Sequence, residues 1–255
     1  MNKESNKYIF GFASIMVIIV AAVLALAAIL LKPKQDENIR IDKMVGILKA
    51  ANIEQADASN AESLFKKYVT AELVLNKEGD IVSEIRNGKF VKGKETAFDV
   101  DLKTELKKKS DGEDFHFPLY EMDLNGKMIY VLPVLGKGLW GPIWGNIALG
   151  EDLNHVVGAT FDHEKETPGL GAQIADRPFQ EEFIGKVIIQ DGKFVSIEAI
   201  KGGIATLPTE AAKEHGVDAI SGGTLTSNGL TAMLQNCLEN YVPFIMKKNP
   251  SLFKK

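Results

Sequence analysis

Cysteine is almost absent from this chain: Cys237 is the only one in 255 residues. A single thiol cannot close an internal disulfide, and it excludes a cysteine-cluster zinc or iron–sulfur site built from this chain alone. Histidine is scarce as well, with 4 residues. The segment His163-Glu164-Lys165-Glu166-Thr167 opens like a zinc-protease motif but has no second histidine at its fifth position. That leaves too few ligands for such a site. His116, His155 and His215 are scattered and read as structural or surface residues. An overall basic balance is missing too. The formal net charge is -4, and Lys3, Lys7 and Glu4 leave the first segment slightly basic, so the acid excess lies in the remainder. No nucleic-acid partner is expected for such a body.

What is present at the N-terminal end is a charge-free apolar run, residues 8–31 (YIFGFASIMVIIVAAVLALAAILL). About 20 such residues cross a bilayer core. A cleaved signal is the rival, with Ala25-Leu26-Ala27 as its cleavage site, but the run exceeds the usual signal core of about 7–15 residues. The expectation is an N-terminal tail at 1–7, an uncleaved transmembrane helix at 8–31 in a lipid bilayer, and a polar linker at 32–40. Lys3 and Lys7 flank one side; Lys32, Lys34, Arg40 and Lys43 flank the other. Long domains translocate largely regardless of such charges, so charge alone leaves the side open.

Beyond the linker, Ile41, Met44, Val45 and Leu48 follow helical spacing. Ser59 and Glu62 read as a capping box for a second helix reaching about Val69. From Ala71 the pattern alternates, and LVL–EGD–IVSEI predicts a hairpin. The charged stretch 98–114, with Lys107, Lys108 and Lys109 in a row, reads as a solvated loop or edge. Asn125-Gly126 is a turn signal before the buried strand MIYVLPV, HVVGATFD reads as a strand, and Asp191-Gly192 marks another hairpin between KVIIQ and KFVSIEAI. A last helix is predicted from about Asn228. Leu230, Met233, Leu234, Cys237, Leu238 and Tyr241 share its apolar face, and Pro243 should kink or end it. The fold class is α+β: a transmembrane helix, then one mostly antiparallel-sheet domain with flanking helices, its N-terminal part at 41–115 and a ligand-binding region at 116–255.

Three glycine-rich segments stand out: GKGLWGPIWG at 136–145, ETPGLGA at 166–172 and DAISGGTLTSNGL at 218–230. In the last, Thr226 or Ser227 is placed to cap the following helix. Glycines before a helix start, with its unpaired N–H groups, make a seat for an anion such as a phosphate. The segment is neither a Walker loop nor a GxGxxG fingerprint, and a plain capped strand-to-helix turn uses the same residues.

SGGT within DAISGGTLTS resembles the Asp-x-x-Ser/Thr-Gly-Ala-Thr motif of the FMN-binding domain family, with Gly223 where alanine is more usual. ETPGLGA is similar to that family's second signature. The resemblance implies FMN held covalently by a phosphoester to Thr224, installed by a separate flavin transferase from FAD. It implies that Ser221, Gly222, Gly223, Leu225 and Thr226 hold the phosphate. Leu139, Trp140 and Leu170 would wall the flavin ring, although Trp140 serves equally well as plain core. Gly138, Gly141, Gly169 and Gly171 would bring backbone to the ring edge. Glu166, Thr167, Pro168 and Lys201 complete the expected contacts. No metal and no catalytic residue are implied.

Within the family, the anchor, the length, LKAANI and GKGLWGPIWG resemble the members that serve Na⁺-translocating NADH:quinone reductases. The related Rnf-type members share the anchor, ETPGLG and the flavin-bearing threonine but lack the Leu139-Trp140 dipeptide. Either resemblance implies a subunit that relays electrons toward quinone beside the other subunits of a membrane complex. The former also implies coupling to Na⁺ export, and a domain on the periplasmic side of a bacterial inner membrane. An anchored ligand-binding or redox-sensing domain is the alternative of another class.

Overall fold

The computed structural model describes residues 6–254, so most of the expected tail lies outside the described residues. The first helix, α1, runs Asn6–Ala50. At 1.5 Å per residue it is about 68 Å long, more than twice a bilayer core. An 18-residue window within it has mean hydropathy 3.1, and none of that window is buried. The helix is therefore long and apolar enough to cross a membrane. Residues 32–40 are helical throughout, Pro33 included, and the (i, i+4) pair Lys32–Asp36 lies 3.9 Å apart. The residues after Pro33 include Lys34, Gln35 and Glu37, whose unbranched side chains suit a helix.

The chain divides into two compact units after Lys43, and the second begins at Met44. Its first buried residues are Met44, Ile47, Leu48 and Ala50, on the last turns of α1. Helix α2 follows at Ala61–Tyr68, with Asn60 at its N-cap position and no side-chain cap bond. The capping box does not form. Ser59 is drawn away from the helix, because its hydroxyl and its N–H both donate to Asp57 Oδ1.

Strands β1 (Val69–Asn76), β2 (Ile81–Arg86) and β3 (Lys89–Lys92) come next, then helix α3 (Leu102–Ser110). The stretch expected as a solvated loop thus contains a helix. Asp101 caps it, accepting from Lys103 N at 3.2 Å, and Leu102 and Leu106 pack against the core. Strands β4 (His116–Leu124), β5 (Lys127–Lys137), β6 (Pro142–Leu149) and β7 (Val156–His163) complete a seven-stranded sheet. Its order is β3-β2-β1-β4-β5-β6-β7, and every pairing is antiparallel. The β4–β5 turn is Asn125-Gly126, both in the left-handed region at φ 57 and 84, as a two-residue hairpin requires.

After β7 the chain makes helix α4 (Arg177–Glu181), the short hairpin β8 (Ile189–Gln190) and β9 (Lys193–Phe194), and strand β10 (Glu198–Ile200). Helix α5 (Glu210–Lys213) leads to β11 (Gly216–Asp218), which pairs parallel with β10. Helix α6 (Thr224–Leu238) and, after one 3-10 turn, α7 (Val242–Lys248) close the fold. The apolar face of α6 is buried as its spacing predicts: Leu230, Met233, Leu234, Cys237 and Leu238. Pro243 falls in the first turn of α7, where its missing N–H costs nothing.

Helix α6 is pinned along β5. Leu135 O accepts from the Cys237 thiol at 3.3 Å. The buried Tyr241 hydroxyl lies 2.9 Å from Pro118 O and 3.0 Å from Pro133 O, bridging β4 and β5. At the other end, a Cβ on Gly229 would collide with Lys137 O, the last residue of β5. That approach sets the start of α6 beside the β5–β6 hairpin loop.

Candidate functional site

The turn that opens α6 begins at Ile220, whose carbonyl accepts from Gly223 N at 3.0 Å. Gly222 has φ 75, a left-handed conformation that glycine takes without strain. The tight turn lets the helix start at Thr224, four residues before the predicted Asn228. Thr226 and Ser227 lie inside its first turn and do not cap it: the N-cap position is Gly223, with no side-chain cap bond. The Ser227 hydroxyl instead accepts from Ile220 N at 3.1 Å, and Thr226 Oγ1 donates to Glu166 Oε2 at 2.6 Å. Both residues are buried. Of the four hydroxyl residues in this segment, only Ser221 and Thr224 are exposed. Thr224 stands at the positive end of a 15-residue helix, where first-turn N–H groups have no intrahelical acceptor.

Glu166 joins the three glycine-rich segments. It is buried, with one oxygen accepting from Thr226 and the other, Oε1, accepting from Trp140 N at 2.9 Å. Its own N–H donates to His163 Nδ1 at 3.2 Å. Glycines make room for the carboxylate. A Cβ on Gly138 would collide with Oε1, and one on Gly171 would stand 2.6 Å from Oε2. The loop 167–172 is closed by Thr167 O, which accepts from Leu170 N and Ala172 N, each at 3.1 Å. The loop 138–141 is closed by Gly138 N donating to Gly141 O at 2.8 Å.

Around this joint several large apolar side chains are exposed. Trp140 is 62% exposed, which removes the reading of it as core. Leu139, Leu170 and Leu225 are exposed too, and a Cβ on Gly222 would lie 2.7 Å from Leu170 Cδ2. The structure thus brings residues 138–141, 166–171 and 221–226 together around Glu166. Thr167, Pro168 and Gly169 are exposed on the same loop. Lys201 is exposed directly after β10, whose Ile200 O accepts from Ala219 N, next to the turn that opens α6, at 3.0 Å. At the base of that turn Asp218 Oδ1 accepts from Ile204 N at 2.7 Å. Asp218 N donates to Glu182 Oε2 at 2.7 Å; partial burial raises the Glu182 carboxyl above its ordinary range.

Three features were not read from the sequence. Ile220 packs beneath the turn, Gly229 sets the helix-to-strand approach, and Trp144 adds a second exposed indole. A glycine inside a helical pattern is a signal of close backbone approach, and Gly229 carried it. Gly136, Gly138 and Gly141 have GxGxxG spacing, but they run from the end of β5 into its hairpin with β6. A dinucleotide fingerprint needs a strand-to-helix turn there.

Residues 138–239, which contain the exposed threonine at the helix start, the glycine loops beside it and the exposed apolar side chains, match the model of the FMN-binding domain, and this places the chain in the FMN-binding domain class. The chain is 32% identical over 235 residues to NqrC of the Na⁺-translocating NADH-quinone reductase of Haemophilus ducreyi, covering 90% of this chain and 88% of the relative. NqrC of Pseudomonas aeruginosa is 31% identical over 241 residues, covering 91% of each chain. The crystal structure of NqrC from Parabacteroides distasonis superposes with a TM-score of 0.70 at 33% identity, covering 84% of this chain and 96% of that one. This chain belongs to the NqrC family of Na⁺-translocating NADH-quinone reductase subunits.

Proposed function

We propose that this chain is the flavin-bearing NqrC component of such a reductase, anchored by α1 in a bacterial inner membrane with its domain on the periplasmic side. FMN is joined by a phosphoester to Thr224 and relays electrons toward quinone beside the other subunits, the complex coupling this flow to Na⁺ export. The residues present fit the group. First-turn N–H groups and the Ser221 hydroxyl suit a phosphate. Exposed Leu139, Trp140, Leu170 and Leu225 suit a flat ring with apolar faces. Glycines at 138, 171, 222 and 223 let the segments that carry these groups pack closely, where a Cβ would meet Glu166, Thr226, Leu170 or Ile220. When bound, FMN accepts and releases one or two electrons.

The observation that carries the attachment site is the fate of the hydroxyls: Thr226 and Ser227 are buried and hydrogen-bonded, while Thr224 is exposed at the helix start. A separate flavin transferase would do the chemistry. In that reaction the Thr224 oxygen would bond to the flavin-side phosphorus of FAD, the diphosphate bridge would break, AMP would leave and the hydroxyl proton would go to solvent. Lys201, Thr167, Pro168 and Gly169 border the ring region.

The test is peptide mass spectrometry of the denatured protein from its native membrane. The peptide containing Thr224 should be heavier by FMN less one water, Thr224→Val should abolish the increment, and Ser221→Ala should keep it. A native protein without covalent flavin would sink the proposal.

A further inference from the structure

We propose that Glu166 is a positioning residue: it is the strut that fixes the flavin-bearing turn of α6 relative to the Trp140 loop, without itself contacting the cofactor. The inference rests on the flavin reading above. Both carboxylate oxygens are taken by the protein, Oε2 by Thr226 Oγ1 at 2.6 Å and Oε1 by Trp140 N at 2.9 Å. Thr226 lies two residues beyond Thr224 on the same helical turn, and Trp140 lies in the loop that supplies the exposed ring wall. The two donors are therefore held at a separation set by one carboxylate. Gly138 and Gly171 press on that carboxylate from two sides, so it has little room to turn. The Glu166 N–H, held by His163 Nδ1 at 3.2 Å, fixes the backbone behind it. A buried acceptor serving two segments far apart in sequence makes their geometry interdependent, and loss of either bond leaves a buried donor or acceptor unpaired.

The chemistry of the two donors separates shape from charge. Trp140 N can only donate, whereas the Thr226 hydroxyl can donate or accept. In Glu166→Gln the amide oxygen accepts from Trp140 N and the amide nitrogen donates to a rotated Thr226 hydroxyl, so both links survive without the charge. In Glu166→Ala neither survives. Thr226→Val breaks one link and leaves the other.

The experiment uses the full chain in detergent, with and without flavin. Amide hydrogen exchange at Trp140 is read in the flavin-free protein. The visible circular dichroism of the flavin is read in the loaded one. Glu166→Ala should speed Trp140 exchange by about tenfold or more, as for loss of one charge-assisted hydrogen bond, and should collapse the induced flavin signal. Glu166→Gln should restore wild-type values of both. Thr226→Val should weaken the flavin signal while leaving Trp140 protected, and it decides the matter if Glu166→Ala does not fold. Wild-type exchange and dichroism in Glu166→Ala, failure of Glu166→Gln to rescue, or a wild-type flavin signal in Thr226→Val would each overturn the strut. Absence of covalent flavin from the wild-type protein would instead sink the functional reading, and the flavin-free exchange experiment would still decide whether Glu166 ties the two loops.

Discussion

Gly171 and Thr226 touch across the site so closely that one methyl group cannot be added between them: a Cβ on Gly171 would collide with Thr226 Oγ1 and stand 3.0 Å from Thr226 Cβ. The hydroxyl cannot simply rotate away, because it is committed to Glu166 at 2.6 Å. Gly171→Ala should therefore push the loop 167–172 off the helix start. Overpacking of this kind costs about 1–3 kcal/mol. Urea unfolding should show that loss, and flavin attachment at Thr224 should fall with it. A variant of wild-type stability with full attachment would show that the loop gives way freely.

Gly223 departs from the alanine more usual in the resembling motif, and Ile220 supplies a reason. A Cβ there would lie 2.9 Å from Ile220 Cγ2 and 3.1 Å from Ile220 Cβ. Ile220 is buried and branched at Cβ, so it cannot swing clear. Gly223→Ala should destabilise the domain by about 1 kcal/mol, although its φ of -103 is open to any residue. In the double variant with Ile220→Ala, the alanine at 223 should cost less than it does alone. Additive losses in the four-member cycle would refute the coupling.

The sheet was legible because its cues are local. Asn125-Gly126 forces a two-residue hairpin, and the alternation from Ala71 onward sets which side chains face inward. The apolar face of α6 was equally plain, from Leu230 to Tyr241. Its start was not. Thr224, Leu225, Thr226 and Ser227 read as turn and cap residues, yet the left-handed Gly222 finishes the turn early and the hydroxyls are claimed by Ile220 N and Glu166. The helix α3 was hidden because only Leu102 and Leu106 anchor it among charges. The glycine-rich segments could be marked as site material, but the joint at Glu166 spans 60 residues to Thr226 and 26 to Trp140. No local pattern encodes a contact of that range.

Gly229 sets two opposing effects against each other. Within an exposed helix, glycine to alanine gains about 1 kcal/mol. Here the added Cβ would collide with Lys137 O and lie 3.3 Å from Gly138 Cα. Both are main-chain atoms, which cannot yield as a flexible side chain does. Steric cost should win, and Gly229→Ala should destabilise despite its better propensity. It should also lift the start of α6 from the 138–141 loop and reduce the induced flavin signal. A rise in melting temperature would show that the helix accommodates the methyl by a small shift.

Cys237 gives the domain a pH dependence whose sign follows from burial. Desolvation pushes its thiol up to about 11, whereas an unfolded cysteine titrates near about 8.5. As pH rises past that lower value, the unfolded chain releases its proton while the folded chain keeps it. The unfolded state then binds fewer protons, so stability falls with rising pH, by up to about 1.4 kcal/mol per unit, until the folded thiol also ionises. Below about pH 8.5 both states are protonated and the effect vanishes. Tyr241, fully buried and also raised well above its ordinary range by desolvation, adds a second fall beginning near about pH 10. Chemical denaturation between about pH 8 and 10 separates the two. Wild-type stability should drop over that range, and Cys237→Ala should start lower because of its small cavity but follow a flatter line. Parallel lines for the two proteins would mean that the thiol ionises as readily in the folded chain as in the unfolded one, which its packing between α6 and β5 argues against.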